Sequence, residues 1–192
     1  AKYEVAFVAS IIYMVLPYRF LDTYVRGDIA ELISFTFIPL IFLFIDQSLK
    51  EKKLTPIIYG GLAYGLFILS HNAMATIFSP VFIAYSMLFS KKPKQLIFPF
   101  AIFFLGVVLS MFFWLPSIVE GRFVYAKIFV ENIYKDNFIA PWSLIYSRWG
   151  FGPDVNLNNG QSPQIGILHA VIPFFALFLL KGIRKKREII FW

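Results

Sequence analysis

Residues 18–45 read YRFLDTYVRGDIAELISFTFIPLIFLFI, and they change abruptly from a charged cluster to an uncharged apolar run. The first fourteen residues carry five charged side chains, and the fourteen that follow carry none. Such a boundary is typical of a membrane segment that begins at the lipid–water interface. We therefore expect a membrane protein in which residues 18–31 form a polar element at the interface.

The composition of the whole chain supports this class. Of its 192 residues, 59% are hydrophobic and only 15% are charged, and the mean hydropathy is +0.71. Ordinary soluble domains are about half apolar. The chain has no cysteine, which excludes disulfides and thiolate metal sites. Its net charge of +7 lies in short loops between apolar runs, so we predict no nucleic-acid partner.

The apolar runs predict an all-α polytopic transmembrane bundle with about six spans. We also expect the 192 residues to be one transmembrane domain and a piece of a longer protein. The predicted spans are Val5–Leu16, Leu32–Ile45, Leu54–Ser70, Ala73–Phe89, Leu96–Val119 and Gln164–Leu180. Gly61 and Gly65 form a G-x-x-x-G pattern on the third span, for which packing within the chain is favoured over a dimer face.

The distribution of lysine and arginine predicts the orientation of these spans. Residue 2 and the loops 46–53, 91–95 and 181–188 hold twelve of the eighteen basic residues. The positive-inside rule therefore makes these loops cytoplasmic in a cell-membrane protein. The charged cluster, the turn at His71 and a loop at 120–163 with a short helix near 124–134 are then external.

The cluster 18–31 is predicted to be an amphipathic helix lying in the interface. At 100° per residue its polar side chains fall on two edges, Arg19 with Asp22 and Arg26, and Tyr24 with Asp28 and Glu31. Asp22 and Arg26 stand at i and i+4, a spacing at which an ion pair stabilises a helix. Gly27 weakens a continuous helix, so a break there is plausible. Glu31 directly precedes the apolar run, where an ionisable group is costly unless it is paired or faces a polar cavity. The alternative is an exposed, solvated linker between two spans.

Other polar and aromatic residues fall on the same predicted outer side. His71 suits a general base, a metal ligand or a hydrogen-bond donor to a phosphate. The alternative is a polar turn in which Asn72 caps a helix. Glu120 is expected to face the same outer cavity. Trp142, Tyr146, Arg148 and Trp149 suit either a sugar or an ordinary interfacial loop. No metal-binding spacing is present, so we predict no metal site, and the sequence identifies no cofactor.

Several motifs resemble a known family. Pro17-Tyr18-Arg19-x-Leu21-x-x-Tyr24-Val25-Arg26-Gly27-x-x-Ala30-Glu31 resembles the signature of prokaryotic membrane proteins labelled "6-pyruvoyl-tetrahydropterin synthase-related". Further similar segments are Leu69-Ser70-His71-Asn72, Phe113-Trp114-Leu115-Pro116 with Glu120, and Gln164-x-Gly166. The family is similar in layout to GT-C-type glycosyltransferases. That likeness implies a polyprenyl-phosphate sugar donor and a catalytic acid in the first external loop, which would lie upstream of Ala1.

The resemblance leads to one leading hypothesis and two alternatives. A GT-C-like glycosyltransferase would transfer a sugar from a lipid-linked donor to an extracytoplasmic acceptor. Its expected substrate-binding residues here are Arg19, Asp22, Tyr24, Arg26, Glu31, His71, Asn72 and Glu120. The first alternative is a non-catalytic scaffold or assembly subunit that binds a partner or a lipid head group. A transporter comes third, because the charges cluster at the membrane boundaries. A membrane lipid or lipid-linked sugar is thus the expected partner, with other subunits possible.

Overall fold

The computed structural model describes residues 3–123, 138–150, 161–167, 169, 171 and 172, and this part of the chain contains helices and no strand. The chain divides into two compact units. The first comprises residues 1–29 and 126–184, and the second comprises residues 30–125 and 185–192. The α-helices are α1 Tyr3–Met14, α2 Pro17–Leu21, α3 Ile29–Glu51, α4 Leu54–Ser70, α5 Asn72–Phe89, α6 Ile97–Leu109 and α7 Met111–Glu120.

In the first unit, α1 is followed by two short elements that together carry the charged cluster. Pro17 stands at the first position of α2, where its missing N–H costs no helical hydrogen bond. The chain then widens into a single π-helical turn, Asp22–Arg26, which ends at Gly27. The helix predicted over 18–31 is therefore interrupted. Its helical turns end at Arg26, and α3 begins at Ile29, after the break at Gly27.

The second unit is built around aromatic side chains of α4, α5 and α6. Phe67 and Phe82 are fully buried, with ring centroids 5.9 Å apart in an edge-on arrangement. Tyr64 packs edge-on to Phe103 at 5.3 Å, and its hydroxyl lies 2.6 Å from the Ser79 hydroxyl. The tyrosine thus brings an apolar ring into the core while its polar end finds a partner.

Glycines bring α4 and α6 close together. A Cβ added at Gly61 would lie 2.5 Å from a side-chain carbon of Leu105, and one added at Gly65 would lie 3.3 Å from the carbonyl oxygen of Gly106. Small residues are what allow helix backbones to approach closely in membranes. Packing of the G-x-x-x-G pattern within the chain is confirmed.

The number of spans differs from the prediction. In the described part of the chain, α3 and α5 are long and apolar enough to cross a membrane, and two bent helix pairs raise the number to at most four. These pairs are Tyr3–Met14 with Pro17–Arg26, bent by 41°, and Pro93–Leu109 with Met111–Phe123, bent by 67°. About six spans is therefore not supported. The helix α4 matches the predicted bounds, but with 17 residues it is shorter than a full span.

The apolar run Leu96–Val119 is not one straight span. It breaks at Ser110, between α6 and α7, although the prolines at 99 and 116 both lie inside helices. The Ser110 hydroxyl donates to the carbonyl of Gly106 at 2.9 Å, and Trp114 Nε1 donates to the carbonyl of Val107 at 3.0 Å. These side-chain bonds support the corner beside the backbone bond from the Ser110 N–H to the Gly106 carbonyl, at 3.1 Å.

Two predicted loops also change. Residues 46–51 belong to the last turns of α3, so the basic loop after it is only two residues long. The predicted short helix at 124–134, most of the span Gln164–Leu180 and the basic segment 181–188 lie outside the described residues. The loop 120–163, predicted to be external, is described at 120–123, 138–150 and 161–163.

Candidate functional site

Arg26 is the centre of a polar cluster in the first unit. Its Nη1 donates to Asp22 Oδ1 and to the Tyr18 hydroxyl, each at 2.7 Å. Asp22 is fully buried, whereas the side chain of Arg26 is 29% exposed. A buried carboxylate needs such a charge-assisted bond. The predicted i, i+4 pairing of Asp22 with Arg26 is confirmed, but Asp22 lies inside the unit and not on an exposed edge.

The π-helical turn and Gly27 explain this arrangement. The wide turn places Asp22 and Arg26 beside each other, and Gly27 ends it in the left-handed conformation at φ +66°. A residue with a Cβ adopts this conformation at a cost of about 1 kcal/mol or more. The chain then starts a new helix at Ile29. The break that was expected at Gly27 is confirmed, so Tyr24 and Glu31 belong to different helices and do not share one helix face.

Asp28 adds a second carboxylate near Arg26. Its Oδ2 is 3.6 Å from Arg26 Nη2, and the side chain is partly exposed. Arg26 thus has two acidic neighbours in the first unit. The arrangement fixes the direction of its guanidinium, and it also balances its charge.

Arg19 is held in a different way. The carbon at the centre of its guanidinium lies 5.4 Å from the ring centroid of Tyr13, in a cation–π contact. A cation–π contact at this distance holds the guanidinium against the tyrosine ring. A guanidinium also carries a planar set of N–H donors that matches the oxygens of a phosphate.

An open, almost wholly apolar cavity of about 590 Å³ lies in the same unit. Its lining residues are Val15, Pro17, Phe20, Tyr24 and Trp149. Phe20 and Tyr24 stack with their ring centroids 6.3 Å apart and form one wall. Tyr24 is 69% exposed, so the structure places this predicted site residue at the cavity and outside the Arg26 hydrogen bonds. A pocket of this size falls in the range of small-molecule sites.

Glu31 and His71 come together in the second unit. Glu31 is in the first turn of α3 and only 5% exposed, and its carboxylate lies within 4.8 Å of a ring nitrogen of His71. A carboxylate in the first turn of a helix interacts favourably with the helix dipole. Glu31 thus lies inside the protein beside an imidazole, and its role in substrate binding stays a prediction.

His71 also caps α5. Its Nδ1 accepts a hydrogen bond from the backbone N–H of Met74 at 3.2 Å, so the cap is His71 and not the predicted Asn72. Asn72 is the first residue of the helix and is exposed.

The hydrogen bond at this cap determines which ring nitrogen of His71 carries the proton, and this affects whether His71 can bind a metal. The bond requires a lone pair on Nδ1 and places the ring proton on Nε2. A metal bound at Nε2 would move that proton to Nδ1, which could then no longer accept from Met74. The geometry of this pair therefore favours a capping role over a metal role.

Glu120, the remaining predicted site residue, is the exposed last residue of α7. The eight predicted residues accordingly belong to two units, with Arg19, Asp22, Tyr24 and Arg26 in the first and the others in the second.

The geometry can now be set beside known proteins. The sequence model of the family described as "6-pyruvoyl-tetrahydropterin synthase related domain; membrane protein" matches residues 1–157. The chain belongs to this family. Comparisons with curated proteins and with solved structures found no match. Membership in the family confirms the resemblance seen in the motifs, and it agrees with the apolar helices in making this a membrane protein.

Within this 6-pyruvoyl-tetrahydropterin synthase-related chain, three functional features escaped sequence reasoning. Tyr18 was seen only as part of a motif, although its hydroxyl binds Arg26. Tyr13 lies in an apolar run, and nothing in the sequence indicates its contact with Arg19. The cavity joins Trp149 to residues more than a hundred positions earlier, which no local pattern reveals.

Proposed function

We propose that this chain is the membrane part of a GT-C-like glycosyltransferase that uses a polyprenyl-phosphate sugar donor and an extracytoplasmic acceptor. Within the described residues, its task is to bind the phosphate of the donor. The observation that carries the proposal is the pair of fixed guanidinium groups, Arg19 on α2 and Arg26 on the π-helical turn.

The two arginines have different tasks. Arg26 is a positioning residue, because Asp22 and Tyr18 both hold its Nη1. Arg19 is the phosphate ligand, because its guanidinium is placed by the ring of Tyr13 and its planar set of donors matches the oxygens of a phosphate. Phosphate binding by a planar, multiply donating guanidinium is strong and directional. This division refines the expectation that both arginines bind the phosphate of the donor.

The family membership and the charge distribution support the proposed location of the site, at the outer face of a membrane. The chain belongs to a membrane-protein family, and the positive-inside rule predicts that the cluster faces away from the cytoplasm. Lipid-linked sugars present their phosphate at the membrane interface, where a charged cluster between two apolar runs is expected. The acceptor belongs to the same outer side.

The experiment measures the rate of glycan transfer in membranes that contain the full-length protein. The rate is normalised to the amount of that protein. Arg19→Ala should reduce transfer by about 10- to 150-fold, corresponding to the loss of a charged hydrogen bond of about 1.5–3 kcal/mol. Arg19→Lys should recover only part of it, since an ammonium lacks the planar fork. The matched control is Arg122→Ala, an exposed arginine of the second unit whose guanidinium lies 4.8 Å from the ring of Phe123.

A non-catalytic scaffold is the second candidate, and one observation favours it. Arg26 is balanced by the carboxylates of Asp22 and Asp28, which is what a purely structural ion pair would look like. Normal expression with unchanged transfer in Arg19→Ala would reject the donor-binding proposal and support the scaffold. A loss of transfer in Arg19→Ala but not in Arg122→Ala would reject the scaffold.

A further inference from the structure

We propose that the cavity lined by Val15, Pro17, Phe20, Tyr24 and Trp149 binds the isoprenoid chain of the lipid phosphate next to its head group. The inference rests on the proposed function for the identity of the lipid. The protein would then bind the isoprenoid chain of the donor as well as its phosphate.

The lining of the cavity selects for an apolar occupant. Among the described residues, two lining residues are aliphatic and three are aromatic, and their side-chain polar groups are the Tyr24 hydroxyl and the Trp149 indole N–H. A sugar ring would leave most of its hydroxyls without partners in such a space. A branched hydrocarbon chain loses no hydrogen bond there and gains contact with the rings.

The position of the cavity links it to the charged cluster. Pro17 and Phe20 belong to α2, as does Arg19, and Tyr24 belongs to the same π-helical turn as Arg26. One short segment thus supplies both cavity walls and guanidinium groups. This is the arrangement that an amphiphile with a charged head and an apolar chain requires.

The wall that carries Trp149 is a built part of the first unit. The hydroxyls of Ser147 and Ser162 lie 2.6 Å apart, and the N–H of Ile165 donates to the carbonyl of Leu144 at 2.7 Å. These bonds tie residues 144–147 to residues 162–165 and fix the segment that leads to Trp149.

Pro17, another lining residue, is also held by a close contact. Gly166 approaches Pro17 so closely that a Cβ on the glycine would lie 2.7 Å from the proline ring. Two of the segments that line the cavity are therefore positioned by specific contacts.

The test measures binding of geranylgeranyl phosphate to the full-length protein in nanodiscs by native mass spectrometry. Trp149→Ala should weaken binding by about tenfold, the effect of losing roughly 1.4 kcal/mol of apolar contact. Trp142→Ala is the matched control and should bind normally, since Trp142 lies on the same segment, is 73% exposed and does not line the cavity. Tyr24→Ala provides a second cavity variant at an exposed position, so a folding defect in the first leaves the test intact.

Two competitors identify the ligand. Inorganic phosphate should compete at least tenfold less well than geranylgeranyl phosphate, because it lacks the chain. Dioleoyl phosphatidic acid should compete less well than geranylgeranyl phosphate. Equal competition by either would overturn the inference, the first because the chain adds nothing and the second because any membrane lipid fills the cavity.

The two proposals fail in different ways. If Arg19→Ala abolishes transfer while Trp149→Ala and Tyr24→Ala bind geranylgeranyl phosphate normally, the chain site is wrong and the glycosyltransferase proposal stands. If binding depends on both aromatic residues but Arg19→Ala leaves transfer unchanged, the chain site stands and the transfer proposal fails.

Discussion

Replacing Gly106 by alanine tests the close packing of α4 against α6. A Cβ at this position would lie 2.6 Å from a ring carbon of Tyr64 and 2.9 Å from the backbone nitrogen of Gly65. The second distance is about half an ångström below the 3.4 Å at which ordinary contact begins, and a backbone atom cannot rotate away. The two helices must therefore separate, at an overpacking cost of about 1–3 kcal/mol.

Gly65→Ala is the matched control, because its nearest neighbour would be the carbonyl oxygen of Gly106 at 3.3 Å. Both substitutions gain the same intrinsic helix preference of alanine over glycine, about 1 kcal/mol. The difference between the two variants therefore isolates the overpacking cost. It is measured by reversible unfolding in mixed detergent micelles, followed by circular dichroism. Equal free energies of unfolding for the two variants would refute the packing described here.

Two further predictions concern the ends of helices. His71→Ala should lower the free energy of unfolding by about 0.5–2 kcal/mol in the same micelle assay, because the α5 cap is lost. His71→Asn should recover most of this loss, because asparagine can cap a helix. Equal losses in both variants would contradict a capping role. Gly27→Ala should lower the free energy of unfolding by about 1 kcal/mol because its φ is +66° while the space around it is open. Gly121→Ala, also in open space but without a positive φ, should be neutral, and a neutral Gly27→Ala would show that no strain exists there.

The sequence was sufficient wherever a pattern is local. The helix α4 begins and ends where its apolar run does, and the turn at His71 falls at the predicted residue. The pairing of Asp22 with Arg26 follows from helical spacing alone, and it survives the change from an α-helix to a π-helical turn because the two residues remain neighbours on one turn.

Features that depend on packing could not be predicted in this way. Nothing in the run Leu96–Val119 distinguishes Ser110 from other polar residues inside helices, so the bend there was missed. The burial of Asp22 depends on its surroundings in the folded unit and not on its spacing. Histidine is not among the residues that usually cap helices, which is why the cap was assigned to Asn72.

The hydrogen bonds at the Ser110 corner affect how much water its carbonyl groups need. A broken helix leaves carbonyl groups without backbone partners, and each would cost several kcal/mol in hydrocarbon unless water or another donor reached it. Here the carbonyl of Val107 accepts from the Trp114 indole, and the carbonyl of Gly106 accepts from both the backbone N–H and the hydroxyl of Ser110. Two carbonyls at the corner are thus satisfied by the chain itself. These bonds lower the cost of placing in hydrocarbon a corner at which the helix changes direction by 67°.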